Sequence, residues 1–331
     1  MEKSYIITGD IVQFAFLHQI QAIHRHWNII EREECTPSLL SPQTIVLDST
    51  LSVVSWIRVG DHVVMTVPND NAVIHIYSYP EFKFESQYLL YGRAADEYLS
   101  ANLVEGNIND TFALYDMNNR FIKEYEFNSL GITEISKVDL KGKNARRSSV
   151  LPPYVNILRI SDDVHLFRIA DATIEELRLI GLTDWKEYGD LYDMLTIRDK
   201  NVDQYMDYFC CLDATSDYVV RAYETIDKID IYKFDNDQFH PWLSIESTPL
   251  EITGNSYYFD VDCASNSFAV CRYHSEDKCN LEVYDYNGRI LYVVPTEHLI
   301  YNIIYDEPES KIYAFSDSSE APTILEYNLV N

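Results

Sequence analysis

One six-residue pattern recurs six times along this chain of 331 residues. It runs apolar, any, Ile/Val/Glu, Tyr/Leu, any, aromatic/Leu, at residues 74–79, 122–127, 174–179, 229–234, 281–286 and 324–329. Its fourth positions, 77, 125, 177, 232, 284 and 327, lie 48, 52, 55, 52 and 43 residues apart. A β-hairpin signature precedes each copy, with β-branched and aromatic runs bracketing Gly, Asp, Asn or Ser, at 53–67, 103–115, 157–169, 208–222, 258–271 and 303–315. Three or four short strands per unit of about 50 residues is the signature of β-propeller blades. The expected fold is therefore all-β, a six-bladed propeller of four-stranded antiparallel blades.

The ends of the chain bear on how the ring closes. The sixth pattern ends at Leu329, which leaves that blade without an outer strand, while Gln43 to Asp48 reads as a strand ahead of the first hairpin. The N-terminal strand is expected to complete the last blade and so remove two exposed sheet edges. The propeller then spans residues 43–331, and residues 1–42 form an extension packed on it. Within that extension Asp10 and Gln13 are spaced as a capping pair, and Ile11, Phe14, Leu17, Ile20, Ile23 and Trp27 share one helical face. A short helix is expected there.

Composition narrows the function classes. The balance of 26 Lys and Arg against 53 Asp and Glu, 26 − 53 = −27, argues against duplex nucleic acid, whose binding rests on neutralising phosphates. With 47% hydrophobic residues the chain can bury a full core, so disorder is not expected. The ten glycines are never two, four or five apart, which removes G-x-G-x-x-G, Walker A and nucleophile-elbow motifs. No apolar run approaches the roughly 20 residues that span a bilayer, and no export signal precedes Ile11 to Leu17. The chain as given reads as cytoplasmic. Its six cysteines show no C-x-x-C; Cys271 and Cys279 flank a turn that would allow a cross-strand bridge, but free, buried thiols are the expectation.

The face formed by the second-to-third-strand and blade-to-blade connections is the default place for a binding site. Each second-to-third connection carries an acid: Asp70, Asp116, Asp171, Glu224 with Asp227, Glu276 with Asp277, and Asp317 with Glu320. Turns favour Asp, so a solvated rim is the plainer reading and no cofactor is expected; the alternative is calcium, with Asp116, Asp171 and Asp317 as its ligands. Five basic residues fall within 137–147, and Lys141, Lys143, Arg146 and Arg147 are candidate contacts for an anion or acidic glycan. Trp185 and Tyr188 offer a stacking platform for a sugar or an anchor for a protein. His18, His24 and His26 read as surface or packing residues, and Asp235-Asn-Asp237 and Asp260-Val-Asp262 lack the Gly and Glu of an EF-hand.

From about residue 43 onward the chain resembles the TolB-like six-bladed propellers of bacteria. That family places a Gly-x-Gly-Pro-x-Glu-aromatic stretch between blades, and Gly92-Arg-Ala-Ala-Asp-Glu-Tyr98 keeps its Gly92, Glu97 and Tyr98 while Ala94-Ala95 replaces Gly-Pro. The resemblance implies the propeller fold, adds Arg93 and Glu97 as candidate ligand contacts, and implies the cell envelope or periplasm for a chain that has lost a signal. The leading functional expectation is a non-enzymatic module that presents a propeller face to a protein, peptide or glycan. Two alternatives stand beside it: a calcium-assisted hydrolase of lactonase-like type with carboxylates in the channel, and an oligomerising scaffold.

Overall fold

The structure, a computed structural model, describes residues 28–33, 35–47, 53–68, 71–94, 96–104, 110–129, 131–140, 154–170, 175–183, 187–191, 210–224, 226–235, 238–247, 257–275, 278–317 and 322–330. Every regular element among them is a strand. Two short ones come first, β1 (Asn28–Glu31) and β2 (Gln43–Val46). Blade one holds β3 (Ser55–Val59), β4 (His62–Thr66), β5 (Ala72–Ser78) and β6 (Phe84–Leu90), and blade two holds β7 (Ala101–Val104), β8 (Thr111–Asp116), β9 (Phe121–Asn128) and β10 (Gly131–Asp139). Blade three holds β11 (Tyr154–Arg159), β12 (Val164–Ala170), β13 (Glu175–Gly181) and β14 (Glu187–Leu191), and blade four β15 (Cys210–Ala214), β16 (Tyr218–Tyr223), β17 (Lys228–Asp235) and β18 (Gln238–Glu246). Blade five holds β19 (Tyr258–Cys263), β20 (Ser267–Ser275), β21 (Lys278–Asp285) and β22 (Ile290–Thr296). Blade six holds β23 (Asn302–Asp306), β24 (Lys311–Asp317) and β25 (Pro322–Asn328), with β2 as its outer strand.

The propeller therefore has the six four-stranded blades expected from the repeat. Closure follows the expected route as well: Gln43 pairs with Glu326 and Val46 with Thr323, antiparallel. Burial follows from the architecture. A blade's middle strands are covered on both faces by the neighbouring blades, so β4 and β5 are buried along nearly their whole length, whereas the outer β6 and β10 are largely exposed. Since successive strand residues point to opposite faces, Val63 and Met65 pack toward blade six while Val64 packs toward blade two. The core is thus six cores, one at each joint between consecutive blades. The recurring tyrosines Tyr77, Tyr125, Tyr232, Tyr284 and Tyr327 are all buried, the packing role that their shared strand position implies.

The helix expected over residues 11–27 lies outside the described residues. Directly after it comes a strand that the sequence did not signal: β1 lies parallel to β18 as a fifth strand of blade four, Asn28 opposite Leu243 and Glu31 opposite Glu246. From there the chain crosses blade five, where Ser38 N–H donates to Val293 O at 2.8 Å and Leu40 packs on the joint to blade six, before it becomes β2. Residues 28–46 thus form a belt over three blades. All six cysteines are free thiols. Cys271 and Cys279 are diagonal rather than opposite, because Cys271 pairs with Leu281 and Tyr273 with Cys279, and their sulfurs lie 3.8 Å apart.

Gly288 fixes where the belt crosses. It holds φ +83° in the turn between β21 and β22, and a Cβ there would come within 2.3 Å of Ile30 Cδ1 and 2.5 Å of Leu243 Cδ2. Gly288→Ala combines left-handed strain with a clash and is expected to cost about 2–4 kcal/mol in denaturant unfolding. In an Ile30→Ala background the cost should shrink by about 1 kcal/mol; an unchanged cost would show that β1 does not rest on this turn.

Candidate functional site

The inner strands of a propeller run side by side without pairing, so their N–H groups toward the next blade need other acceptors. Aspartates supply them here. Asp213 of β15 accepts the Cys263 N–H at 2.6 Å, and from β19 Asp260 accepts that of Ile303 at 2.7 Å and Asp262 that of Tyr305 at 2.5 Å. Blades four, five and six are laced together by these carboxylates. At the joint between blades six and one, Asp306 forms an ion pair with Arg58 at 2.9 Å and accepts the Tyr79 hydroxyl proton, and the Arg58 guanidinium sits 3.9 Å over the Tyr79 ring. Burial, then the hydrogen bond to Asp306, raises the Tyr79 hydroxyl well beyond an ordinary phenol.

These residues surround a cavity of about 860 Å³ in the central channel. It opens where the first-to-second-strand turns of all six blades converge, lined by Gly60, Asp110, Asp162, Ser216, Ala264 and Glu307 among others. Its described walls carry eight carboxylates, Asp110, Asp162, Asp213, Asp217, Asp260, Asp262, Asp306 and Glu307, against one cation, Arg58. Low-dielectric walls with charge of one sign concentrate field in a cleft, so the mouth attracts cations. Glu307 is engaged in part by Asn266 and Ser267 of blade five and the exposed Asp162 by Arg159 at 3.2 Å, while Asp110 and Asp217 are exposed at the rim.

Deeper in the channel Asp262 is hydrogen-bonded to Asp213, and burial pushes its carboxyl up to about 7, with Arg58 lowering and Asp306 raising it. Burial keeps Asp262 protonated at pH values where an exposed carboxyl is already ionised.

The cavity is not on the face where the sequence placed the site. The connections from second strand to third, and from blade to blade, open at the opposite end of the channel. Among the expected metal ligands, Asp116 is fully buried and uses both oxygens on its own surroundings: Oδ1 accepts the N–H groups of Asn118 and Asn119, and Oδ2 those of Leu99 and the Asn119 side chain. Asp227 is likewise buried, in ion pairs with Arg32 and Arg272. Asp171 lies outside the described residues, and Asp317 ends β24 with its side chain undescribed. Among the described residues no group of three His, Cys, Asp or Glu is arranged to hold a metal ion.

The other expected contacts are scattered. Lys141, Lys143, Arg146, Arg147 and Trp185 lie outside the described residues, as do His18, His24 and His26. Tyr188 is within the strand β14, at a register shift opposite Leu179 and Ile180, and not in a connection as expected. Arg93 is exposed. Glu97 folds back under Gly92, where a Cβ would meet its carboxylate at 1.9 Å, and accepts the Ala94 N–H at 2.7 Å. The Gly92 to Tyr98 stretch is a self-capped turn, closed by Gly92 N–H to Tyr98 O at 2.9 Å.

No family model matches the chain, and no curated protein does. Solved structures do. A Bacteroides fragilis protein named as a candidate exported protein aligns with a TM-score of 0.58 at 11% identity, over 91% of this chain and 99% of its own. A DUF4221 family member from Bacteroides vulgatus aligns at 0.59 and 10%, over 88% and 96%. The propeller domain of Cps50 (Swd1) from Myceliophteria thermophila aligns at 0.52 and 8%, over 86% and 99%. At such identities the likeness shows the fold: the chain is a six-bladed β-propeller.

The Asp262 proton has a measurable consequence. Between the ordinary carboxylate range and about pH 7 the folded state keeps a proton that the unfolded chain has released, so this group's contribution to stability falls as pH climbs through that window. Asp262→Asn keeps an acceptor for Tyr305 and mimics the protonated form. Its melting temperature relative to wild type is expected to rise by several degrees from pH 5 to pH 8; a difference flat with pH would mean that Asp262 is ionised throughout.

Proposed function

We propose that this propeller is a non-enzymatic binding module that takes a basic peptide segment of a protein partner at the acidic mouth of its channel. The observation that carries this reading is the open cavity of about 860 Å³ with eight carboxylates facing one arginine. Complementary charge steers association and rejects acidic competitors. A neutral glycan would gain nothing from that field.

The calcium-assisted hydrolase has less in its favour. Asp213, Asp260, Asp262 and Asp306 each already commit an oxygen to a backbone N–H or to an arginine, which leaves few lone pairs for a cation wanting six to eight oxygens. The TolB-like resemblance and the Bacteroides neighbour named as a candidate exported protein fit a module working in a cell envelope.

Arrays of basic, acidic and neutral peptides and of glycans, probed with the labelled protein, test the reading. Retention is expected on basic peptides, falling at least tenfold with Asp162→Lys/Asp217→Lys and weakening as salt rises. Retention confined to glycans or acidic peptides, or indifferent to the double substitution, would overturn it.

A further inference from the structure

Arg32 leaves the end of β1, where its N–H donates to Glu246 O at 2.9 Å, and its side chain turns into the joint between blades four and five. There Nη1 donates to Glu282 Oε2 at 2.5 Å and to the Tyr284 hydroxyl at 2.7 Å. Nη2 donates to Asp227 Oδ1 at 3.0 Å and to the Tyr258 hydroxyl. Both rings flank the guanidinium, their centroids 5.7 and 5.9 Å from its carbon.

The walls of this pocket are held without Arg32. Arg272 grips Asp227 through two nitrogens, at 3.0 and 2.6 Å, and Tyr258 donates to the same carboxylate at 2.9 Å. Tyr284 donates to Glu282 at 2.5 Å, and Arg272 lies 3.6 Å from its other oxygen. The Asp227 and Glu282 side chains are only 1% and 3% exposed. Two buried carboxylates against Arg272 alone leave one negative charge uncompensated, which is costly away from water. One more cation is required, and its shape is specified: the two acids and two hydroxyls address the two terminal nitrogens of a planar fork. Arg32 Nε makes no hydrogen bond among the described residues, so nothing beyond that fork is read.

The segment that delivers Arg32 is not part of any blade's own four strands. β1 is four residues long, three of them exposed, and it pairs with blade four only along the outer edge of β18. We infer that the joint between blades four and five is a guanidinium-binding site, built by the propeller and occupied in cis by Arg32. Its ligand class is an arginine carried on an extended segment that adds to the β18 edge, the mode by which strands are captured elsewhere by main-chain pairing. The site is independent of the channel mouth.

The test is chemical rescue in the full chain. Arg32→Ala should lower the melting temperature by about 5 °C, and about 20 mM ethylguanidinium should recover roughly half of that loss, saturably, while leaving wild type unmoved. Ethylammonium at the same concentration should do nothing, and Arg32→Lys should remain clearly less stable than wild type, because a single ammonium nitrogen cannot take the place of two terminal nitrogens that each meet an acid and a hydroxyl. Equal shifts in wild type and variant, rescue by ethylammonium, or a lysine variant as stable as wild type would each overturn the inference. Should Arg32→Ala not fold, its refolding yield from urea is the readout: a yield raised by ethylguanidinium alone supports the site, and equal yields with either ion or none overturn it.

Discussion

No blade of this protein can bury itself. Each is a four-stranded sheet with apolar side chains on both faces, and each face is satisfied only by the next blade, so the six joints must all form for any one to be dry. The constraint that governs everything else is therefore closure of the ring. It is met by pairing β2 with β25, which ties the start of the propeller to its end and completes the sixth joint, where Trp56, Tyr77 and Tyr79 of blade one pack on Tyr313, Phe315 and Ile324. A hydrophobic joint is not directional, and blades could slide against one another along it. Polar bridges set the angle. Buried or half-buried arginines form ion pairs across three joints, Arg58 to Asp306 between blades six and one, Arg159 to Glu124 between two and three, and Arg272 to Asp227 between four and five, and Arg168 donates to Cys210 O between three and four.

The channel follows from the same geometry. Six inner strands, each paired on one edge only, converge on an axis with the backbone donors of the other edge pointing at neighbours too far off for a ladder. Short acidic side chains fill that gap, and once Asp213, Asp260 and Asp262 serve as acceptors the channel is acidic whatever else it does. Structural lacing and the negative charge of the channel thus come from the same carboxylates. What separates them is depth: the inner acids are committed to backbone, and the rim acids Asp110, Asp162 and Asp217 are exposed to solvent.

The blades were legible in the sequence because a buried strand repeats its chemistry every second residue, and because one tyrosine position recurs at the same depth in five blades. Even the closing strand was readable, since a sixth blade one strand short requires it. The channel was not. Arg58, Asp213, Asp262 and Asp306 lie in four different blades, and only the closed ring brings them together. A signal was nonetheless present: each is a charged residue inside a first strand that otherwise reads as buried. Asp262 was set aside for want of a calcium-loop pattern, attention to acids in connections passed over the other three, and Asp116 and Asp227, which those connections did supply, turned out to be buried in turn capping and ion pairing. β1 was hidden for a different reason. Asn28-Ile-Ile-Glu31 has no partner nearby in sequence, and its pairing with residues 243–246 is invisible until blade four exists to receive it.

The charge of −27 gives these placements their logic. With about two acids for each base, cations are the scarce resource, and in the described structure Arg32, Arg58, Arg159, Lys228 and Arg272 are drawn into pairs with buried or half-buried carboxylates at or near the joints. Each removes a charge that would be ruinous to leave alone in the interior. Each such pair removes one acid with one base, so the net charge of −27 is carried by the rest of the molecule, the carboxylate-lined channel mouth included. The joints and the mouth therefore differ in how their carboxylates are met: the buried ones are paired within the protein, and those lining the mouth face Arg58 alone among the cavity's described lining residues.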